Sequence, residues 1–321
     1  MFQSGSIALS LSLLLSFGQT ALRPDPPIKC SSCDEWNMPL EPFKVFGNTY
    51  YVGTDGLSSL LITSAQGHIL LDGGLTQSAP LIAANIIKLG FKVEDIKLIL
   101  NSHAHYDHAA GIAALQRASG ATVVSSASGA EGFALGDAVP DDPQAGFGNN
   151  GFPAVKSVRV VKDKEVVTLG PLAVQMHNTA GHTPGSTTWT WQSCEISAPS
   201  PKPSTSAQAT ADRQAPGPQK CLNMVYADSI SAVAAPGFRF TGDAKTPSRV
   251  EQFRKSISTV GELPCDIMIT THPMATDLAG KLKKRAAKPA VDPFIDPQAC
   301  RVLAANAMKA LEARVAEEKK K

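Results

Sequence analysis

The sequence has no strong excess of charge of either sign. Its 30 lysines and arginines nearly balance 28 aspartates and glutamates, which leaves a formal net charge of +2. No basic segment alternates with aromatic residues, so we expect no nucleic-acid partner. The charged residues 317–321 are more typical of a helix end that frays than of a binding arm. With 321 residues, the chain is long enough for one large domain or two ordinary ones.

The sequence also lacks a hydrophobic run that would span a membrane. Residues 7–17 are apolar, but this run is too short to cross a bilayer. Small residues follow it, as in a secretory signal peptide, although residues 1–6 contain no lysine or arginine. We predict that residues 1–21 are a signal peptide, with cleavage after Gly18 or Ala21 both open. A buried N-terminal helix is the alternative.

Cysteines are few, but the six that are present suit an oxidising compartment. Cys30 and Cys33 have no βαβ context that would indicate a redox enzyme, and whether they pair stays open. Cys194 and Cys221 flank residues 197–220, in which Ser, Pro, Ala, Gln and Thr predominate. Such a composition cannot drive packing. We therefore predict a flexible insertion that a Cys194–Cys221 disulfide closes.

The sequence does contain a dense group of metal-binding side chains, His103, His105, Asp107 and His108. Apolar patterns predict a strand at 96–100 before this group and a helix at 109–118 after it. A lone histidine on such a turn is more often structural than a metal ligand. Burying four such groups without a partner, however, would be costly. Imidazoles and a carboxylate without a thiolate favour zinc over iron or manganese.

Apolar alternation predicts many strands and few other helices. A helix at 80–89 would have Ser78 as its cap. Residues 129–153 are rich in Gly, Pro, Asp and Asn and predict a long loop. In this loop, Phe147 and Phe152 either contact a substrate or belong to a plain surface. The other predicted strands are at 44–52, 59–63, 67–71, 122–126, 158–161, 165–169, 172–176, 187–191, 223–227, 236–240 and 265–272.

Four histidines lie outside the dense group. His182 has glycines before and after it, at 181 and 185, which permit a tight turn and let the imidazole reach inward. His272 ends the last predicted strand. His68 and His177 fit strand patterns without a motif, and we interpret both as structural.

The run from His103 to His108 has the form H-x-H-x-D-H and resembles the metal motif of the metallo-β-lactamase superfamily. Together with residues 45–54 and 68–74, it is similar to subclass B3. The resemblance extends over residues 40–310, apart from the insertion. It implies an α/β fold, a four-layer αβ/βα sandwich with two facing sheets and outer helices. It also implies that residues 22–321 form one metallo-β-lactamase domain.

The resemblance implies a site that binds two Zn²⁺ ions. The implied ligands are His103, His105 and His182 for the first ion and Asp107, His108 and His272 for the second. Asp107 would be catalytic, because it orients the metal-bound hydroxide that opens the β-lactam ring of penicillins, cephalosporins or carbapenems. Ser229 and Ser231 would bind the substrate carboxylate, and Asp72 would support the metal loop. A periplasmic monomer with a Cys265–Cys300 disulfide is implied as well.

Two aspartates keep a second function open. Hydrolases of the glyoxalase II type, which cleave thioesters, use an aspartate that bridges both metals. Here the D-S-I-S motif at Asp228 is similar to subclass B3, in which neither aspartate binds metal, but the sequence around Asp243 resembles glyoxalase II. The alternatives are therefore a thioester or lactone hydrolase and a zinc-binding protein without catalysis. Structural zinc sites are usually closed, and this argues against the last of these.

Overall fold

The computed structural model describes residues 22–148, 151–196, 219–244 and 246–320. Twelve strands in these ranges form two sheets, one of seven strands and one of five. The predicted signal peptide, residues 1–21, and most of the predicted insertion, residues 197–218, lie outside the described residues. Among the described helices, none is both long and apolar enough to cross a membrane.

The first sheet follows the order of the sequence from β1 to β7. Its first four strands form an antiparallel meander, and the pairs from β4 to β7 are parallel. The strands are β1 (Phe43–Phe46), β2 (Thr49–Tyr51), β3 (Leu60–Ile62), β4 (His68–Leu71), β5 (Ile96–Leu100), β6 (Thr122–Ser125) and β7 (Val158–Val160).

The second sheet has the order β12-β11-β10-β9-β8. Only the β11–β12 pair is parallel in it. Its strands are β8 (Val166–Leu169), β9 (Leu172–Asn178), β10 (Thr187–Ile196), β11 (Gln219–Ala227) and β12 (Ile267–Thr270). Gln219 and Lys220, which were predicted to belong to the insertion, are thus the first residues of β11.

Eight α-helices accompany the sheets in the described residues. They are α1 (Cys33–Trp36), α2 (Ser78–Lys88), α3 (Tyr106–Ala109), α4 (Ile112–Ser119), α5 (Ala127–Leu135), α6 (Val250–Glu262), α7 (Leu278–Ala286) and α8 (Ala299–Glu318). Short 3-10 helices occupy Val93–Asp95, Ala145–Phe147 and Pro273–Thr276.

Alternation along the strands produces the layers. In β3, Leu60 and Ile62 face the second sheet, whereas Leu61 faces the helices α2 and α4. On the second sheet, Val225 of β11 and Met268 of β12 pack against α6 and α8. Both faces of each sheet are therefore buried. The result is the predicted four-layer arrangement, with a core between the sheets and one under each outer helical layer.

Two glycine positions make the structure differ from the predicted elements. The strand predicted at 44–52 is divided into β1 and β2, because Gly47 turns the chain with φ +53°. The loop predicted at 129–153 begins with helix α5 instead. Its glycines do not break the helix but permit close packing: a Cβ at Gly132 would lie 2.8 Å from the Cβ of Ala104 in the metal loop.

The structure differs from two further predictions, one near the C-terminal helix and one at α2. Helix α8 extends to Glu318, whose buried carboxylate accepts hydrogen bonds from the backbone N–H groups of Phe240 and Thr241. Residues 236–240 form no strand, in contrast to the prediction, and turns occur at 236–237 and at 240. Ser78 is not the cap of α2 either; its Oγ accepts from Leu75 N and donates to Asn37.

The six cysteines form three disulfides, Cys30–Cys33, Cys194–Cys221 and Cys265–Cys300. Cys194 and Cys221 are direct partners across β10 and β11. Their bridge therefore joins the two strands between which residues 197–218 leave the sheet.

We expect that the Cys194–Cys221 bridge stabilises the exported protein. Replacing both residues by serine should lower the free energy of unfolding by roughly 3 kcal/mol, because an open chain of this loop length has more conformational entropy. Denaturant unfolding checks this value, and non-reducing peptide mapping checks the pairing. Two free thiols at these positions in exported protein would contradict the expectation.

Candidate metal centre

The H-x-H-x-D-H run connects β5 to the short helix α3, which begins at Tyr106. The turn is held against the loop that follows β4: Gly73 N donates to His108 O, and Gly111 N donates to Gly74 O. Only glycine fits at position 111, since a Cβ there would lie 2.1 Å from Gly73 O. The loop 72–74 thus fixes the position of Asp107 and His108.

Three histidines meet at the first group of potential ligands. His103 and His105 precede α3, and His182 lies in the turn between β9 and β10. A ring nitrogen from each of the three lies within 4.8 Å of the others, and all three side chains are buried. The sheets contribute both sides of this group, since β5 belongs to the first sheet and β9 to the second.

Each of these imidazoles has one nitrogen occupied by another part of the chain. His103 Nδ1 lies 2.6 Å from Asp228 Oδ1, and His105 Nε2 lies 3.1 Å from Asp142 Oδ2. His182 Nδ1 lies 3.1 Å from the carbonyl oxygen of Ser231. These contacts orient the rings so that His103 Nε2, His105 Nδ1 and His182 Nε2 are the potential metal-binding atoms, of which His182 Nε2 also lies 3.1 Å from Gln144 Nε2.

The buried His103 Nε2 has no hydrogen-bond partner among the described residues. An unpaired polar atom in a buried site is unfavourable, and a metal ion would satisfy it. The donor set of neutral imidazoles suits zinc.

A second group consists of Asp107, His108 and His272. Asp107 Oδ2 lies 3.3 Å from His108 Nε2 and 3.3 Å from His272 Nε2, and these two nitrogens are 3.3 Å apart. Ligands about 2.0–2.1 Å from a tetrahedral zinc ion are separated by roughly 3.3 Å. The equal spacing of these three atoms therefore matches three corners of a zinc site.

Burial adjusts the protonation of these groups. It lowers the pKa of His182 to about 3 and holds that of His103 well below its usual range, so both rings are neutral near pH 7. Burial alone would raise the pKa of Asp107, but His108 and His272 hold it well below its usual range. Neutral imidazole and ionised carboxylate are the forms that bind metal.

His108 differs from the other imidazoles. Burial lowers its pKa, but Asp107, Asp72 and Asp228 more than offset this effect and raise it to about 9. A metal ion that binds His108 must therefore displace a proton.

Asp72 stabilises the metal loop without joining either group of potential ligands. Its carboxylate accepts hydrogen bonds from Ser102 N, Ser102 Oγ and Asn101 Nδ2. Tyr226 of β11 donates to the same carboxylate across the core, with 2.8 Å between Tyr226 OH and Asp72 Oδ2. Burial raises the pKa of Asp72 to about 6.

A cleft of about 690 Å³ opens over both groups of potential ligands. Ser229 and Ser231 line it, and Trp36 lies against His272 with 5.3 Å between the ring centroids. The two phenylalanines considered as substrate contacts do not line this cleft. Phe152 is buried against Phe133, and Phe147 is half exposed elsewhere on the surface.

Asp228 and Asp243 occupy different environments. Asp228 is buried, and besides His103 it accepts from Thr187 N. Asp243 is exposed in a turn, where its carboxylate accepts from Thr246 N. Asp243 thus lies outside the clustered ligands, in contrast to the bridging role left open by the sequence. His68 and His177 also lie outside the centre: His68 packs against Phe91, and His177 contacts Lys164 and Thr190.

Comparison with known proteins places the chain in a family. Residues 52–196 match the model of the metallo-β-lactamase superfamily. The Rm3 metallo-β-lactamase is 46% identical, with a TM-score of 0.79 over 91% of this chain and 99% of that one. The chain belongs to the subclass B3 metallo-β-lactamases.

Further structures of this subclass give the same assignment. MEM-A1, a subclass B3 enzyme from a soil metagenome library, is 46% identical, with a TM-score of 0.77 over 89% of this chain and 99% of MEM-A1. SMB-1 bound to 2-mercaptoethanesulfonate is 43% identical, with a TM-score of 0.76 over 88% of this chain and 99% of SMB-1.

Several residues of the B3 centre escaped the sequence analysis. Asp142 and Gln144 lie in the loop after α5, where Asp142 contacts His105 and Gln144 Nε2 lies 3.1 Å from His182 Nε2. Tyr226 acts through Asp72 from the other sheet. The pair Asp141–Asp142 within a long loop was the available signal for Asp142, but nothing in the sequence indicated that Asp142 contacts His105.

Replacing Asp228 should weaken metal binding, although Asp228 is not expected to bind metal itself. Asp228→Ala removes the acceptor that orients His103, and losing such a group typically costs about 10- to 100-fold in metal affinity. Competition with a zinc chelator measures the change. The control, Asp243→Ala, removes an exposed carboxylate and should keep the wild-type affinity. Loss of zinc from the control alone would reverse the assignment.

Proposed function

We propose that this protein is a zinc-dependent β-lactamase that opens the β-lactam ring of antibiotics by hydrolysis. The observation that carries the proposal is the meeting of two groups of three potential ligands at one cleft, which His105, His182, Asp107 and His272 line. His103, His105 and His182 would hold one zinc ion, and Asp107, His108 and His272 a second. Membership of subclass B3 supports the same activity.

Two zinc ions in these positions would supply Lewis acidity and lower the pKa of the attacking water. The residues of the chain then position the reactants. The histidine-only group would face the lactam carbonyl, and the group with Asp107 would face the lactam nitrogen. Asp107 would accept a hydrogen bond from the attacking water and direct it at the carbonyl carbon. The lactam nitrogen would leave on the side of His108 and His272.

Ser229 and Ser231 would hold the substrate by its carboxylate. Ser229 Oγ lies 3.0 Å from Thr271 Oγ1, and Ser231 Oγ lies 3.1 Å from His182 Nδ1. Both hydroxyls line the cleft. No lysine or arginine of the described residues lines it, and the two hydroxyls are the side-chain donors proposed for the carboxylate.

We further propose that residues 1–21 direct export, that residues 22–321 form the mature domain and that the monomer acts in the periplasm. Three disulfides support export, because such bonds persist in oxidising compartments. The proposed partner is a small β-lactam molecule and not a nucleic acid. Thioester hydrolysis of the glyoxalase II type is less well supported, because it would need an aspartate that bridges both metals. Asp228 contacts His103, and Asp243 is exposed and contacts Thr246.

The direct test of the function is an assay of purified protein on three substrates: a chromogenic cephalosporin, a lactone and a glutathione thioester. We expect hydrolysis of the cephalosporin. Hydrolysis of only the lactone or the thioester would support the second function instead. If the zinc-loaded protein hydrolysed none of the three substrates, it would be a zinc-binding protein without catalysis.

Removing metal should abolish hydrolysis, because all six proposed ligands serve zinc. Metal analysis of the active protein should find close to two zinc ions per chain. After dialysis against a chelator, activity should return with added zinc. Full activity of protein shown to be free of metal would disprove the mechanism.

Replacing both serines should weaken substrate binding and leave the metal in place. A hydrogen bond to a charged group contributes about 1.5–3 kcal/mol, so Ser229→Ala with Ser231→Ala should raise KM by roughly ten-fold or more. Zinc content should not change, because the carbonyl of Ser231 still accepts from His182. Steady-state kinetics and metal analysis test both parts. An unchanged KM would exclude the serines from substrate binding.

A further inference from the structure

The cleft extends beyond the metal centre to the C-terminal helix. Besides the histidines and the two serines, it is lined by residues of α8, namely Leu303, Asn306, Ala307 and Ala310. A helix of the outer layer thus forms part of the same cavity as the proposed catalytic residues. Neither the motifs nor the mechanism above uses this wall.

The four α8 residues form one face of the helix. Their spacing of i, i+3, i+4 and i+7 places them along a single stripe. A different face packs into the core: Ala304, Leu311 and Val315 are buried with α6 and the second sheet. Leu303 and Ala307 of the cleft stripe also pack against this core, whereas Asn306 and Ala310 are exposed, and the two alanines of the stripe leave space in front of the helix.

The remainder of this wall is apolar and open to solvent. Met274 is 65% exposed and Val233 is 47% exposed, and both line the cleft beside Leu303. Single exposed apolar residues are common, but apolar residues gathered in a cleft indicate a binding surface. Among the described residues, no charged side chain stands at this end of the cleft, since its ionisable groups are all at the metal centre.

The position of the serine loop determines which part of a substrate reaches the wall. Ile230, between the two serines, packs in the same cluster as Ala299 and Ala304 of α8. The serine loop therefore adjoins the helix. In cephalosporins and carbapenems, the carbon that carries the carboxylate is bonded to the lactam nitrogen and to a ring carbon that carries a variable substituent. A carboxylate held at Ser229 and Ser231 directs that substituent towards α8.

We infer that the wall formed by α8, Val233 and Met274 binds this ring substituent and determines which substituents the enzyme accepts. The inference rests on the proposed β-lactamase function. The wall favours uncharged, apolar groups, because it offers them burial and offers charged groups no partner. The acylamino group on the four-membered ring points away from the carboxylate and does not contact this wall.

Charge placed on the wall tests the inference. Ala310 is exposed and lies on the cleft face, whereas Ala305 is exposed on the same helix and does not line the cleft. The variants are Ala310→Glu and Ala310→Lys, with Ala305→Glu and Ala305→Lys as matched controls. The substrates are cephalosporins with one acylamino group and, at the ring position beside the carboxylate-bearing carbon, an alkyl, a quaternary ammonium or a sulfonate substituent.

Ala310→Glu should lower KM for the ammonium substrate and raise it for the sulfonate substrate, and Ala310→Lys should do the reverse. Each change should be about two- to five-fold at low ionic strength, the size of an exposed ion pair. The Ala305 variants should show no such reversal, nor should substrates that carry the charge on the acylamino group.

The possible outcomes distinguish a failure of the inference about the wall from a failure of the proposed β-lactamase function. Hydrolysis of none of the substrates by the wild-type, zinc-loaded protein would contradict the proposed function. Normal hydrolysis without opposite shifts in the two Ala310 variants, or with equal shifts in the Ala305 variants, would overturn the role of the wall alone. A stronger response of substrates charged on the acylamino group would assign that group to α8 instead.

Discussion

The structure depends on the cost of burying imidazoles and carboxylates together between two sheets. A buried polar group is tolerated only when each of its polar atoms has a partner. Asp228, Asp142 and Ser231 provide such partners to three rings, and they come from two separate segments of the chain, 228–231 and the loop after α5. The ring orientations at the metal centre therefore depend on the complete packing of both sheets and of the loop after α5.

The network around Asp72 transmits the same constraint to the core. Tyr226 reaches from the second sheet to a carboxylate at the end of β4 in the first, and Trp189 donates to Asn101 O across the same interface. Removal of either bond would leave a buried polar group without its partner. The metal loop is thus supported from both layers, and the sheets cannot shift against each other without disturbing it.

Local patterns in the sequence predicted much of this architecture. Apolar alternation indicated nearly all strands, and the run from His103 to His108 with the glycines around His182 indicated where ligands gather. The errors came from residues whose role depends on distant neighbours. Gly129 and Gly132 suggested a loop but permit α5 to pack closely on Ser125 and Ala104. Asp142 and Glu318 reach their partners only after folding, so neither spacing nor composition could assign them.

Helix α8 contributes both to the core of the protein and to the wall of the cleft. Ala304, Leu311 and Val315 are buried in the core. Leu303 and Ala307 line the cleft and also pack against that core, whereas Asn306 and Ala310 line the cleft and are exposed. A new side chain at Asn306 or Ala310 therefore leaves the core unchanged, whereas a change at Leu303 or Ala307 alters both the cleft and the packing. The selectivity of the cleft and the stability of the fold can thus vary independently at two positions of this helix, and are coupled at the other two.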